Sequence, residues 1–177
     1  MHPEIEKFLV SKDIAFISLG IDLAVSQGYV KEVKELDWGL RDLTELPTNI
    51  GKLQYLEKLF LAMNQLSQLP SEIGKLKKLK VLSLNYNQLS HLPAEIGKLR
   101  NLERLHLWEN QLLSLPPEIG KLQKLTWLDL RKNRLTHLPT EIDQLKNLTE
   151  LVINQNPVAP QTVDELRAAL PHCKIVD

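Results

Sequence analysis

The chain has 177 residues, 22 of them basic and 22 acidic, so its formal charge is zero and no net field steers it toward nucleic acid or an anionic membrane. Cys173, the single cysteine, can close no internal disulfide, which points to a reducing compartment. The longest apolar stretch, residues 14–25, contains Ser18 and Asp22 and is too short to span a bilayer.

The first element is helical. Ile5, Phe8 and Leu9, then Ile14, Ile17, Ile21, Ala24 and Val25, recur at helical spacing, with Asp13 placed as an N-cap and Gly28 as a stop. Residues 1–32 are therefore expected to form an N-terminal helical cap. They lack the basic start and small-residue cleavage site of a signal peptide. The expected location is the cytoplasm, with export of an effector without a cleaved signal as the alternative.

From Val33 to Val158 the chain repeats every 23 residues in the pattern LxxLxLxxNxLxxLPxxIGxL. Leu56, Leu79, Leu102, Leu125 and Leu148 open five successive units, and a degenerate one precedes them with Val33, Leu36, Trp38 and then Arg41 in place of Asn. Residues 33–159 thus hold six repeats. A period of this size is that of leucine-rich repeats, which place one short strand in each unit. In LxL the two Leu face inward and the residue between them faces solvent. Successive strands stack about 4.8 Å apart, giving a parallel sheet on the concave side of a solenoid, while Leu66, Leu69, Ile73 and Leu76 and their equivalents close the convex back.

The Asn column (Asn64, Asn87, Asn110, Asn133, Asn156) falls where the chain leaves each strand. A buried amide there can donate to and accept from loop backbone groups that water no longer reaches. Pro70, Pro93, Pro116 and Pro139 suit the first position of a short helical turn, and Glu72, Glu95, Glu118 and Glu141 follow two residues later, near its positive end. Whether that turn is α or 3₁₀ is not legible in the pattern.

Residues 160–177 are expected to close the other end of the same structural domain. Thr162 to Leu170 reads as an amphipathic helix, and Pro171 to Asp177 as a last edge strand with Cys173 and Ile175 turned inward. This terminal unit is 22 residues long, aligning Leu170, Cys173 and Ile175 with Leu148, Leu151 and Ile153. Cys173 would then be an inert core thiol.

The unit LPxEIGKLxxLxxLxLxxNQL resembles the 23-residue repeats of bacterial leucine-rich repeat proteins, those of spirochaetes such as Leptospira especially. It is similar, more loosely, to Ras-binding and plant intracellular repeat proteins. The resemblance implies an α/β repeat fold, a leucine-rich repeat solenoid with short helical turns on its convex side, and a bacterial protein-binding role.

Function falls to positions the scaffold leaves free. The back segment hardly changes (PSEIGKL, PAEIGKL, PPEIGKL, PTEIDQL), whereas the outward strand positions change in every unit. Phe60, Tyr86, Trp108 and Trp127 lie in this outward set, and with Leu40, Met63 and Val81 they form an apolar field flanked by Arg104, Arg131 and Lys132. Aromatic residues beside Arg are enriched at interface hot spots. With His106 and Asp129, these residues are the expected contact surface for a protein or peptide. A homodimer contact through the same field is the alternative, although a monomer is expected.

Ser83, His106 and Asp129 stand in one row over three repeats, in the order of a hydrolytic triad. The strand N–H groups are committed to the sheet and no GxSxG elbow lifts the serine, so no oxyanion hole is expected. A hydrogen bond from His106 to Asp129 within a binding face is the preferred reading. No catalytic residue, metal site or cofactor is expected. His91 and His137 share a repeat position two strands apart, about 10 Å, too far to ligate one ion together. Lys52, Lys75, Lys98 and Lys121 form a back column that the parallel Glu column should neutralise.

Overall fold

Each strand in the computed structural model, which describes residues 2–177, is only three residues long, as long as the LxL core of its repeat. The strands are β1 (Glu35–Asp37), β2 (Lys58–Phe60), β3 (Val81–Ser83), β4 (Arg104–His106), β5 (Trp127–Asp129), β6 (Glu150–Val152) and β7 (Lys174–Val176). They form one parallel sheet in sequence order. From β1 to β6 every register step equals the repeat: Leu36 lies opposite Leu59, then Leu82, Leu105, Leu128 and Leu151. These Leu form the inner wall of a continuous core that runs from Ile5 to Leu170.

The back is built from 3₁₀ turns at Thr48–Lys52, Ser71–Lys75, Ala94–Lys98, Pro117–Lys121 and Thr140–Gln144. The Pro of each LP pair does not occupy the first helical position, as its sequence context suggested; Pro70, Pro93, Pro116 and Pro139 are N-caps with ψ of 145–148°. An extended ψ lets the Pro carbonyl accept the first turn bond, as from Ile73 N to Pro70 O at 3.0 Å. Gly in IGKL is fixed by the next repeat. A Cβ on Gly74 would come within 2.7 Å of Glu95 O, and one on Gly97 within 2.5 Å of Glu118 O. The last turn faces α3 (Pro160–Ala169) and no sixth 3₁₀ turn, and Asp143 stands there in place of Gly.

The Asn column behaves as a cross-repeat clamp. Asn110 Oδ1 accepts from Leu89 N at 3.0 Å, while its Nδ2 donates to Leu84 O at 2.9 Å in the preceding repeat and to Leu107 O at 3.0 Å in its own. Asn64, Asn87, Asn133 and Asn156 make the same three contacts. Just before each Asn, Met63, Tyr86, Glu109, Lys132 and Gln155 take φ of 53–58°, as does Leu40 just before Arg41. This left-handed geometry costs a residue with a Cβ about 1–2 kcal/mol. It turns the chain out of the strand so that the Asn amide reaches inward.

At the start of the chain, the expected helical cap consists of two helices, α1 (Pro3–Leu9) and α2 (Ile14–Ser26). Asp13 caps α2 by accepting from Ala15 N at 2.8 Å, and Gly28 has φ 81° just beyond its end. The degenerate repeat is finished by these helices. Trp38 Nε1 donates to Leu9 O at 2.7 Å, and the Arg41 guanidinium donates to Ser11 O at 3.0 Å and to Asp37 O at 2.7 Å. Arg41 thus satisfies loop carbonyls where Asn would have faced an absent repeat. Lys52, with no Glu in its turn, pairs with Asp22 of α2 at 2.8 Å.

At the far end the register departs from the expectation. Ile175 lies opposite Leu151, and Val176 opposite Val152, an offset two residues longer than the 22-residue alignment. The ten-residue α3 has replaced the five-residue 3₁₀ turn, so the return to the sheet comes later. Cys173 precedes β7 and is half-buried against the core. Burial pushes its thiol up to about 11, which leaves it protonated and unreactive near neutral pH. No helix among the described residues is long and apolar enough to cross a membrane.

Candidate functional site: the open face of the sheet

The side of the sheet away from the Leu core carries one variable residue in each row of each strand. Tyr86, one of the left-handed residues, meets Trp108 of the next repeat edge-on, with ring centroids 4.2 Å apart. The Arg131 guanidinium lies 4.7 Å from the centre of the Trp108 ring. It also forms an ion pair with Asp129 at 3.0 Å. Over three repeats these contacts make one continuous stack of ring, ring, cation and carboxylate. Such edge-on and cation–π contacts each add about 0.5–1.5 kcal/mol and hold the side chains in place before any ligand arrives.

The remaining face residues surround this stack. Trp127 is half-buried and sits 6.4 Å from the His106 ring, centroid to centroid. Phe60, Val81 and His106 are half-buried, Met63 and Tyr86 are exposed, and Arg104 is exposed between Val81 and Trp127, its register neighbours. Burial is the main cause that holds His106 below the ordinary imidazole value; Asp129 opposes it, and Arg104 and Arg131 reinforce it. The ring is uncharged at neutral pH.

Two expectations change. Asp129 is not presented as a contact residue: it is 1% exposed and lies beneath Arg131, whose backbone N–H also donates to it at 3.3 Å. Its carboxyl is nevertheless pushed above the ordinary carboxylate value by burial. Alternation directed Asp129 outward correctly, but the long Arg131 side chain two residues on folds back over it. Consequently Arg131, and not His106, is its partner. Arg131 in turn is not a free flanking cation, and Lys132 pairs with Glu109 in the same way.

Register does align Ser83, His106 and Asp129 across β3, β4 and β5. Ser83 is 8% exposed, and its Oγ takes a 3.5 Å contact from Asn85 Nδ2. The row is therefore three neighbours with separate partners. On the back, Lys75, Lys98 and Lys121 approach Glu72, Glu95 and Glu118 at 3.8, 3.5 and 3.8 Å, the mixed-charge ridge read from the sequence.

A parallel sheet of three-residue strands, one per repeat, backed by 3₁₀ turns and clamped by an Asn column, defines a leucine-rich repeat solenoid. A profile of the leucine-rich repeat region matches residues 32–111, and a second leucine-rich repeat profile matches residues 100–158. The chain belongs to the leucine-rich repeat proteins. No curated protein matches it. Among solved structures it is similar to a leucine-rich repeat protein of Leptospira interrogans, with 28% identity over 84% of this chain and 62% of that one and a TM-score of 0.41. It is also similar to the plant peptide hormone receptor RGFR1 in complex with RGF2, with 31% identity over 79% of this chain and 24% of the receptor (TM-score 0.65). The receptor kinase ectodomain GASSHO1/SCHENGEN3 of Arabidopsis thaliana, in complex with CASPARIAN STRIP INTEGRITY FACTOR 2, gives 39% identity over 75% and 16% of the two chains (TM-score 0.65). The chain thus spans less than two thirds of the length of each.

Proposed function

We propose that this chain is a non-enzymatic interaction module that holds a protein or peptide on the open face of its sheet. The observation that carries the reading is the Tyr86–Trp108–Arg131 stack. Three large side chains that no core requires are locked together on an accessible surface. Pre-ordered aromatic and Arg side chains lose little conformational freedom on binding, which is why they serve as anchors. The plant receptors, both solved with a named partner, support the same general use of the scaffold. Partners that a wide, open sheet fits are extended or broad ones, since small molecules favour enclosed pockets.

The test uses dodecapeptides selected on the immobilised chain from a random display library. Trp108→Ala and Trp127→Ala should each weaken the selected peptides by about 2 kcal/mol or more, roughly thirtyfold. The same changes should cost only about 1 kcal/mol of stability, the worth of a surface aromatic contact. Lys75→Ala and Lys121→Ala on the back should leave affinity unchanged. Retention in both Trp variants and loss in the Lys variants would place the site on the opposite side.

Self-association has one observation in its favour, and it lies on the cap, not on the aromatic field. Val10, Phe16 and Leu19 are 60%, 49% and 44% exposed, and Phe16 stacks on Phe8 with ring centroids 5.8 Å apart.

A further inference from the structure

The cations of the open face are not alike. Lys58 pairs with Glu35 at 2.9 Å and Lys174 with Glu150 at 3.2 Å, in each case across one register step. Arg131 pairs with Asp129, and Lys132 with Glu109. Arg104 alone among these cations has no acidic partner among the described residues. Its register neighbours are Val81 and Trp127, neither of which offers it an anionic hydrogen-bond acceptor. The one carboxylate of the face outside an ion pair, Asp37, lies three strands away, about 14 Å at sheet spacing. At physiological salt a charge that far off is screened.

Other donors cluster beside it. Trp127 Nε1 and Arg131 Nε are buried with no acceptor among the described residues, against one orphaned acceptor on this face, Asn154 Oδ1. His106, two residues from Arg104, is held uncharged, so it does not add a competing cation. The centre of the face therefore offers an unmatched guanidinium flanked by Val81 and Trp127, next to the Trp108 stack.

We propose that Arg104 receives a carboxylate of the partner, so that the ligand is an extended peptide segment carrying an acidic side chain beside an aromatic or apolar one. This rests on the open face being the binding surface. A planar guanidinium takes a carboxylate in two parallel hydrogen bonds, which fixes the ligand's register as well as its charge. The pairing of every other strand cation keeps the remainder of the face closed to a second carboxylate. Acidic recognition is thus confined to one position, with Val81 and Trp127 on either side supplying contact area.

Three immobilised forms of the full chain separate the possibilities: wild type, Arg104→Glu, and the Trp108→Ala/Trp127→Ala double variant, each checked by circular dichroism to be fully folded at the assay temperature. Against a random dodecapeptide library, wild type should enrich sequences with Asp or Glu adjacent to an aromatic residue. On Arg104→Glu the acidic position should turn to Lys or Arg while the aromatic persists. A synthetic peptide from the wild-type pool should bind wild type at least tenfold more tightly than its Glu-to-Gln counterpart, by fluorescence anisotropy, and the two should bind Arg104→Ala equally. Equal acid content in the wild-type and Arg104→Glu pools, or equal affinity of the two peptides for wild type, overturns the Arg104 assignment and leaves the binding face standing. A double Trp variant that selects the wild-type pool overturns the face itself. Failure of wild type to enrich any peptide counts against both.

Discussion

Leu105→Ala should lower the unfolding free energy by about 2–5 kcal/mol, read by chemical denaturation. Leu105 is fully buried in β4, with Leu82 and Leu128 as its register neighbours on either side. Truncation removes three buried carbon atoms and leaves a void that backbones fixed by hydrogen bonds on both sides cannot collapse to fill. The upper part of the range follows from that rigidity. In a solenoid each unit is stabilised by its neighbours, so a central defect weakens two interfaces at once. A loss no greater than that of an exposed control such as Lys146→Ala would mean that the strand register is wrong.

Asn110→Ala should cost about 3 kcal/mol, although it removes no hydrophobic surface. Its amide serves Leu89 N, Leu84 O and Leu107 O, groups with no water to replace it, and each buried group left unpaired costs about 1–3 kcal/mol. Asn110→Asp is the sharper variant. It keeps the acceptor for Leu89 N but sets a carboxylate against two carbonyl oxygens, so it should be at least as destabilising as Ala at neutral pH and recover part of the loss in acid. Equal stability of Asp, Ala and wild type would show that the column does not hold the repeats together.

The Leu, Asn and Arg41 positions were legible because each follows from period and polarity alone. A residue spaced at 23 must stack on its equivalent, and a lone Arg where every other unit has Asn must face something different, here α1 and the segment after it. The type of back turn was not legible, since Pro, Glu and Ile at these spacings suit α and 3₁₀ geometry alike. Nor was the C-terminal register: the helix before β7 was expected, but how far it delays the return of the chain to the sheet does not follow from its pattern. The role of Gly in IGKL emerges only from the Glu carbonyl of the next turn, although Asp143 in the last repeat was its visible trace. At the candidate site, alternation identified which residues leave the core. It could not show that Arg131 covers Asp129, since the path of a long side chain depends on the ring of Trp108 beneath it. The isolation of Arg104 was written in the register: 23 residues either side of it stand Val81 and Trp127, where Lys58 and Lys174 have Glu beside them.

The three tryptophans provide the most direct test of the binding face, because they report from different sides of the same molecule. Trp38 is fully buried with its indole N–H on Leu9 O, whereas Trp108 and Trp127 lie on the open face. In a ¹⁵N–¹H correlation spectrum, addition of a peptide selected on the wild-type chain should move the indole signals of Trp108 and Trp127 and leave that of Trp38 in place. Binding that leaves Trp108 and Trp127 unmoved, while backbone signals of Lys75, Lys98 and Lys121 shift, would contradict the assignment of function to the sheet.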